Sequence, residues 1–96
     1  MSTCGAPAQG GDVVVAPGAT VVDGVVVHEG APVPGAYVRL HDGDGEFTAE
    51  VVTGPGGEFV FYARPARWEL RVLSRAGSTT QQVDAAVGRT SVTLAV

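Results

Sequence analysis

Glycine and proline recur at short intervals along this chain, and this spacing most constrains what it can fold into. The 96 residues include 14 glycines and six prolines. Both residues interrupt helices, because glycine costs backbone entropy and proline lacks the amide donor. The segments between them are rich in valine, whose branched side chain packs well on a pleated sheet. The chain is therefore predicted to be all-β, without a helical segment.

Alternating apolar and polar residues mark individual strands. The clearest example lies at 67–72, where Trp68, Leu70 and Val72 alternate with charged side chains. A period of two indicates a strand with one buried face. Further strands are predicted at 20–28, 37–41, 47–53, 58–63, 79–85 and 92–96. About seven short strands predict an antiparallel β-sandwich made of two stacked sheets.

The same alternation assigns side chains to the core. Phe47, Ala49 and Val51 are expected to share one face of their strand. Gly24 is expected to mark a bulge in the first strand. The predicted core consists of Val25, Val27, Val38, Leu40, Val51, Phe59, Phe61, Trp68, Leu70, Val72, Val92 and Leu94.

The first residues differ in composition from the rest of the chain. Residues 1–12 are small, polar and glycine-rich, so they bury too little apolar surface to offset the entropy of ordering. They are predicted to form a flexible N-terminal arm before a single domain at 13–96. Cys4 is the only cysteine, which excludes an internal disulfide framework. No leader pattern or membrane-length apolar run is visible, so we expect a cytoplasmic protein without membrane association.

The balance of charge restricts the partners. A formal net charge of −4 argues against nucleic acid, since phosphate neutralisation needs clustered cations. All six cations are arginines. Arg39, Arg67 and Arg71 fall on the predicted outer faces of strands, near Glu69. These residues form either cross-strand ion pairs on a solvated sheet or a docking patch for a partner.

No motif for self-contained catalysis or metal binding stands out. His28 and His41 lie at strand ends without the paired spacing that a zinc site requires. Residues 42–46 lack the ligand spacing of a calcium loop and are predicted to be a hairpin turn. A Ser-His-Asp set and a phosphate loop are also not apparent. We therefore predict no catalytic residues, no metal and no cofactor, and a protein that is not an enzyme.

Four segments carry a resemblance to a known domain type. They are Gly24–Val26, Pro32–Leu40, Gly57–Phe61 and Trp68–Val72. In this order they resemble the carboxypeptidase regulatory-like and prealbumin-like (transthyretin-type) domains. The resemblance implies a β-sandwich of that kind.

The whole chain is similar to a narrower group. The segments Gly35–Leu40, Glu46–Val52 and Trp68–Gly77 resemble a small bacterial family of unknown function, which begins with a Cys-containing, Gly-rich arm and is encoded near thiosulfate sulfurtransferases. This resemblance implies an accessory or interaction protein of sulfur metabolism that partners a thiosulfate sulfurtransferase. Cys4 is then a candidate sulfur acceptor, because an accessible thiolate is what a sulfur acceptor needs.

A second class of function stays open at this point. Non-catalytic ligand- or carbohydrate-binding modules share this sandwich architecture, and they usually expose aromatic side chains to sugars. Tyr37 and Tyr62 are the available candidates, and they are few. Edge strands also permit two copies to pair, so both a monomer and a homodimer are compatible with the sequence.

Overall fold

The computed structural model describes residues 15–96, and this part of the chain is built from strands without a helix. The strands are β1 Thr20–His28, β2 Ala31–Pro32, β3 Tyr37–His41, β4 Phe47–Val52, β5 Glu58–Ala63, β6 Ala66–Leu73, β7 Ser78–Ala85 and β8 Gly88–Ala95. Residues 15–96 accordingly offer no helix long and apolar enough to cross a membrane.

The strands form two four-stranded sheets that enclose one core. Sheet I contains β1, β2, β5 and β8, and sheet II has the order β4-β3-β6-β7. All ladders of sheet II are antiparallel. In sheet I, β1 pairs antiparallel with β2 and β5 but parallel with β8. The predicted all-β sandwich is thus confirmed, with one parallel ladder that strand patterning does not reveal, because a period of two carries no information on strand direction.

The core of sheet II follows the sequence pattern. Trp68, Leu70 and Val72 of β6 are buried, as predicted, and they pack with Val38 and Leu40 of β3. The indole Nε1 of Trp68 donates a hydrogen bond to the carbonyl of Arg64 at 2.9 Å. This contact satisfies the only polar atom of the buried Trp68 side chain, whose ring also lies 4.9 Å from the Arg64 guanidinium carbon.

In β1 the predicted core face is wrong. Val22 and Val26 belong to the core cluster, whereas Val25 and Val27 are only half-buried and lie outside it. Residues 25–27 are three successive valines, so the sequence has no alternation there that would fix the buried face. The contacts of β1 with the rest of the sandwich decide which of its valines are buried.

Gly24 lies on the core face between these valines, and it is not a bulge. It pairs with Phe59 of β5 and with Val92 of β8 without a shift in register. A Cβ atom at this position would lie 2.1 Å from the Val92 carbonyl oxygen and 2.9 Å from the Phe59 ring. The glycine is therefore required because the phenylalanine ring covers the backbone of β1 directly.

A bulge does occur in β4, and it corrects the prediction for Phe47. Leu40 pairs with Ala49 but His41 pairs with Phe47, so Thr48 is an extra residue in the ladder. The extra residue turns the Phe47 side chain to the solvent side, away from Ala49 and Val51, which pack on the core. Phe47 lies edge-on to the His41 ring, with 5.9 Å between the ring centroids.

A buried carboxylate joins β1 to β8 on the side of sheet I opposite Val22. The Asp23 side chain is 4% exposed. Ser91 donates its hydroxyl to Oδ1 of Asp23 at 2.6 Å, and the Arg89 Nε atom lies 2.6 Å from Oδ2 as an ion-pair partner. Two side chains from β8 therefore neutralise and bind one buried charge on β1.

Gly24→Ala tests the close packing of β1 under Phe59. We expect the substitution to lower the free energy of unfolding by about 3 kcal/mol, because the added methyl collides with backbone as well as with a ring. Urea denaturation measures the effect. Gly43→Ala is the matched control, since its Cβ would meet only ordinary contacts, and a change below about 1 kcal/mol is expected there. Equal stability of the two variants would contradict the described packing.

Arg89→Ala tests the link between β1 and β8. Removing the guanidinium leaves the Asp23 carboxylate buried without a counter-charge, so we expect a loss of about 3 kcal/mol in unfolding free energy. Arg67→Ala removes an equivalent Arg–Asp pair whose Asp84 is 76% exposed, and should cost less than about 1 kcal/mol. Adding Asp23→Asn to Arg89→Ala should recover part of the loss. Equal unfolding free energies for the two arginine variants would show that the burial of Asp23 does not strengthen its ion pair with Arg89.

Candidate docking face

The N-terminal candidate residue lies beyond the described structure. Cys4, together with the predicted arm at 1–12, falls outside residues 15–96. The sulfur-acceptor role and the flexible arm therefore stay predictions. The other predicted site residues all fall on described strands.

The three predicted arginines share the solvent-facing side of sheet II. Arg39 of β3 and Arg71 of β6 are direct cross-strand partners, and Arg67 lies on the same side of β6, four residues before Arg71. We call this surface the outer face of sheet II. Its members are Glu50, Val52 and the turned-out Phe47 of β4, Tyr37, Arg39 and His41 of β3, Arg67, Glu69, Arg71 and Leu73 of β6, and Ser78, Thr80, Gln82 and Asp84 of β7.

Each of these three arginines contacts a carboxylate on the same face. The distances from the arginine Nε to the carboxylate oxygen are 2.7 Å in Arg39–Glu50, 3.0 Å in Arg67–Asp84 and 2.6 Å in Arg71–Glu69. The set is formally neutral, so it does not form a cationic patch. Because all three arginines are exposed, each pair adds at most about 1 kcal/mol to stability, and its main effect is to fix side-chain orientation.

An apolar row crosses the same face beside the charged residues. Tyr37 is the direct partner of Val52 on one side and of Leu73 on the other. These three side chains are 50%, 53% and 48% exposed, and Phe47 on the same face is 57% exposed. Four of the six large exposed apolar side chains in residues 15–96 thus gather on one surface. Such clustering makes the outer face of sheet II a candidate interaction surface.

Sequence patterning missed this apolar row. Val52, Tyr37 and Leu73 come from three different strands, and each is a single exposed apolar residue within its own segment. A lone exposed apolar residue needs no special explanation. Only the registers of the strand ladders show that Val52, Tyr37 and Leu73 are neighbours. Predicting this apolar row would therefore have required knowledge of the strand pairing.

Two shallow clefts open on this side of the molecule. One, of about 250 Å³, lies between the turn at 42–45 and the side chains of Arg67, Glu69, Arg71 and Gln82. The other, of about 270 Å³, lies beside Arg39, Arg71 and Leu73 at the β7 strand. Both volumes are small for a ligand site, which usually measures roughly 300–1,000 Å³.

The two histidines are separated and have different surroundings. His28 of sheet I has its Nδ1 2.6 Å from the carbonyl oxygen of Val96. His41 of sheet II is buried, with Nδ1 3.1 Å from the Gly45 carbonyl oxygen, so Nδ1 carries the proton in that contact. Its Nε2 has no hydrogen-bond partner among the described residues. Within residues 15–96, no group of three or more His, Cys, Asp and Glu is placed to hold a metal ion.

The acidic segment after β3 is a hydrogen-bonded turn. The Asp42 carboxylate accepts the backbone N–H groups of Asp44 and Glu46, at 2.9 and 3.0 Å. This is the local side-chain-to-backbone pattern by which aspartate stabilises turns. The carboxylate thus serves the β3–β4 connection, in agreement with the hairpin turn that the sequence predicts.

Comparison with known proteins gives relatives and a fold neighbour. The chain is 53% identical over 60 residues to uncharacterized proteins of Mycolicibacterium smegmatis and Mycobacterium tuberculosis. The match covers 62% of this chain and 67% and 60% of those proteins, respectively.

A solved structure is similar in fold. It is the dioxygenase domain of a dioxygenase carbohydrate-binding protein fusion from Streptomyces sp. SirexAA-E, with a TM-score of 0.62 and 14% sequence identity. The similarity covers 83% of this chain and 80% of that one, and at this identity it supports the sandwich fold alone.

Comparison with protein families is more specific than this similarity of fold. Residues 4–96 match throughout, and the chain belongs to the family described as protein of unknown function DUF1416.

Proposed function

We propose that this chain is an accessory interaction protein of sulfur metabolism that docks onto a partner through the outer face of sheet II. The observation that carries the proposal is the gathering of exposed apolar residues beside three arginines, each paired with a carboxylate, on the outer face of sheet II. Protein interfaces combine such an apolar centre with arginines and a polar surround.

A thiosulfate sulfurtransferase is the partner that we propose. The support is the resemblance of segments 35–40, 46–52 and 68–77 to a family encoded near such enzymes. The matching order of strand motifs also supports a prealbumin-like, carboxypeptidase regulatory-like form of the sandwich. The proposal places the protein in the cytoplasm, where a single thiol such as Cys4 stays reduced.

Cys4 is the proposed acceptor of sulfur. A persulfide on the partner's cysteine carries a terminal sulfane sulfur, and the Cys4 thiolate attacks that sulfur. The new S–S bond forms on Cys4 as the old one breaks, and the partner's cysteine leaves as a thiolate, so no external oxidant or reductant is needed. The family match includes residue 4, which is consistent with this role.

In this proposal the chain itself is not an enzyme and needs no cofactor. The partner generates the persulfide, and the sandwich contributes a surface that brings Cys4 to it. Docking raises the effective concentration of the thiol at the partner's active site. This arrangement compensates for the modest reactivity of a thiol that has no cation near it in the sequence.

A non-catalytic ligand- or carbohydrate-binding module is the second candidate. The exposed rings of Tyr37 and Phe47 lie on one side of sheet II, where they are available for stacking on a sugar. Titration with soluble oligosaccharides, followed by tyrosine fluorescence, separates the candidates. Saturable quenching that Tyr37→Ala removes and Tyr62→Ala leaves in place would favour this second function.

Incubation with a rhodanese-type sulfurtransferase and thiosulfate tests the first proposal. We expect intact-mass spectrometry to show the gain of one sulfur atom on this chain, because the Cys4 thiolate accepts the sulfane sulfur. Cys4→Ser should show no gain under the same conditions, and dithiothreitol should remove the added mass. An unmodified chain beside a fully persulfidated enzyme would reject Cys4 as the acceptor.

Charge reversal at Arg67 tests whether the outer face of sheet II directs that transfer. Arg67→Glu places a carboxylate beside Asp84 and should slow the gain of mass about three- to tenfold at low salt, since surface charges act mainly on association. Arg75→Glu, in the turn between β6 and β7, is the matched control and should transfer at the wild-type rate. Equal rates for both variants would show that docking uses another surface.

A further inference from the structure

We infer that residues 13–15, directly before the turn at 16–19, pack across the outer face of sheet I. This face is the side of sheet I that points away from the core. Val21, Asp23 and Val25 of β1 lie on it, with Val60 and Tyr62 of β5 and Arg89 of β8. The inference deepens the proposed function, because the same end of the chain carries Cys4, and it rests on that function only where sulfur transfer is concerned.

Three residues on this face are buried although they lie outside the core. Val21 is 0% exposed, Asp23 3% and Val60 5%, and none of them belongs to the core cluster. No strand among residues 20–95 lies over them, since sheet II is on the other side of sheet I. The two connections at this end, 64–65 and 86–87, each lead between the sheets. Another part of the chain therefore has to keep water from this face.

The cover is confined to the half of β1 that follows the turn. Val25 lies on the same face as Val21, farther along the strand, and it is only half-buried. The direct neighbours of Val21 do not account for its burial, because Tyr62 is 69% exposed and Arg89 is exposed as well. A segment that enters at the beginning of β1 explains burial that decreases along the strand.

A tight turn directs the chain back along β1. Ala19 donates its backbone N–H to the carbonyl of Ala16 at 3.0 Å. Pro17 and Gly18 occupy the two central positions, and Gly18 has a φ of 82°. Proline followed by a residue with positive φ is the pattern of a type II turn. Because the turn reverses the chain, the residues before it run back over the strand that follows it.

Both edges of β1 are occupied where the reversed segment arrives. Thr20 pairs with Ala63 of β5 on one side and with Gly88 of β8 on the other, and both ladders continue to Val25. The segment therefore cannot join sheet I as a neighbour of β1. The inner side of the sheet is filled by the core, so the outer face is the path that remains.

The segment has the composition that this face requires. Residues 13–15 are three valines, and Val15 is half-buried. Branched apolar side chains suit packing on Val21 and Val60. The same cover explains why the Asp23 side chain is 4% exposed while its partner Arg89 is 48% exposed, because an apolar segment over the carboxylate excludes water from it.

The packing determines the point from which Cys4 extends. Eight residues separate Cys4 from Val13. An extended chain of that length spans at most about 30 Å, whereas packed sheets are about 10 Å apart. In the proposed function, Cys4 therefore reaches past the edge of the sandwich to a partner on the outer face of sheet II, while residues 13–15 stay on sheet I.

Methyl NMR of the full chain tests the packing without any substitution. With the valine methyl groups labelled, we expect nuclear Overhauser effects from residues 13–15 to Val21 and Val60. A soluble paramagnetic agent should relax the Val21 methyls as slowly as those of Val22, which faces the core. The absence of any Overhauser effect between residues 13–15 and these two valines would overturn the inference.

Two charged variants test which part of the N-terminal residues makes the contact. Val13→Asp/Val14→Asp should make the Val21 methyls relax several-fold faster with the paramagnetic agent, because carboxylates do not pack on an apolar surface. Ala6→Asp/Ala8→Asp adds the same charge nearer to the beginning of the chain. It is the matched control and should leave Val21 protected.

Trp68 fluorescence confirms that both variants are folded, because this side chain reports on the core between the sheets. A folded Val13→Asp/Val14→Asp chain with unchanged Val21 relaxation would also contradict the inference. No sulfurtransferase is present in these experiments, so their outcome is independent of the sulfur-transfer test.

Discussion

The pairing of β1 with three other strands is the constraint on which the rest of the structure depends. β1 hydrogen-bonds to β2, which follows it directly in the chain, and to β5 and β8, which are distant in sequence. Its two faces are specified in different ways. On the core side Gly24 lets the Phe59 ring lie against the backbone, and on the other side Arg89 and Ser91 bind the Asp23 carboxylate. Neither face tolerates a shift of one residue in strand register. Such a shift would move Gly24 away from the Phe59 ring and leave the buried Asp23 carboxylate without its partners on β8.

Because β1 fixes the strand register of the sandwich, only the inner side of sheet II is needed for packing, and its outer side can face solvent. Its inner side, with Trp68 and Leu70, packs on the residues that β1 and β5 hold in place. Its outer side carries little of the folding energy, since exposed ion pairs such as Arg39–Glu50 contribute little. The side chains on that face contribute little to the stability of the fold, so their identity can instead depend on what the face contacts. The bulge at Thr48, which turns Phe47 outward beside Arg39, is an example of such a local feature.

The strands could be predicted from sequence far better than the contacts between them. The alternation at Trp68, Leu70 and Val72 correctly gave the buried face of β6, because one residue type dominates each side. The three valines at 25–27 offered no such contrast, and the predicted face was wrong. Likewise the sequence identified Arg39, Arg67 and Arg71 as outward residues and offered cross-strand ion pairs as one of two alternatives, but it did not give the partners. Glu50 and Asp84 meet their arginines through the ladder register, and register depends on packing elsewhere in the sandwich.

The same dependence on register has a consequence for recognition. A face with balanced charges exerts little long-range attraction, so partner choice on it must arise at contact, from the match of apolar and charged rows. Val52, Tyr37 and Leu73 supply the apolar row, and Glu50, Arg39 and Arg71 the charged one, each spaced by the strand separation of about 4.8 Å. A partner that fits this pattern must carry apolar and charged groups at a similar spacing, and in the proposed function that partner is a sulfurtransferase.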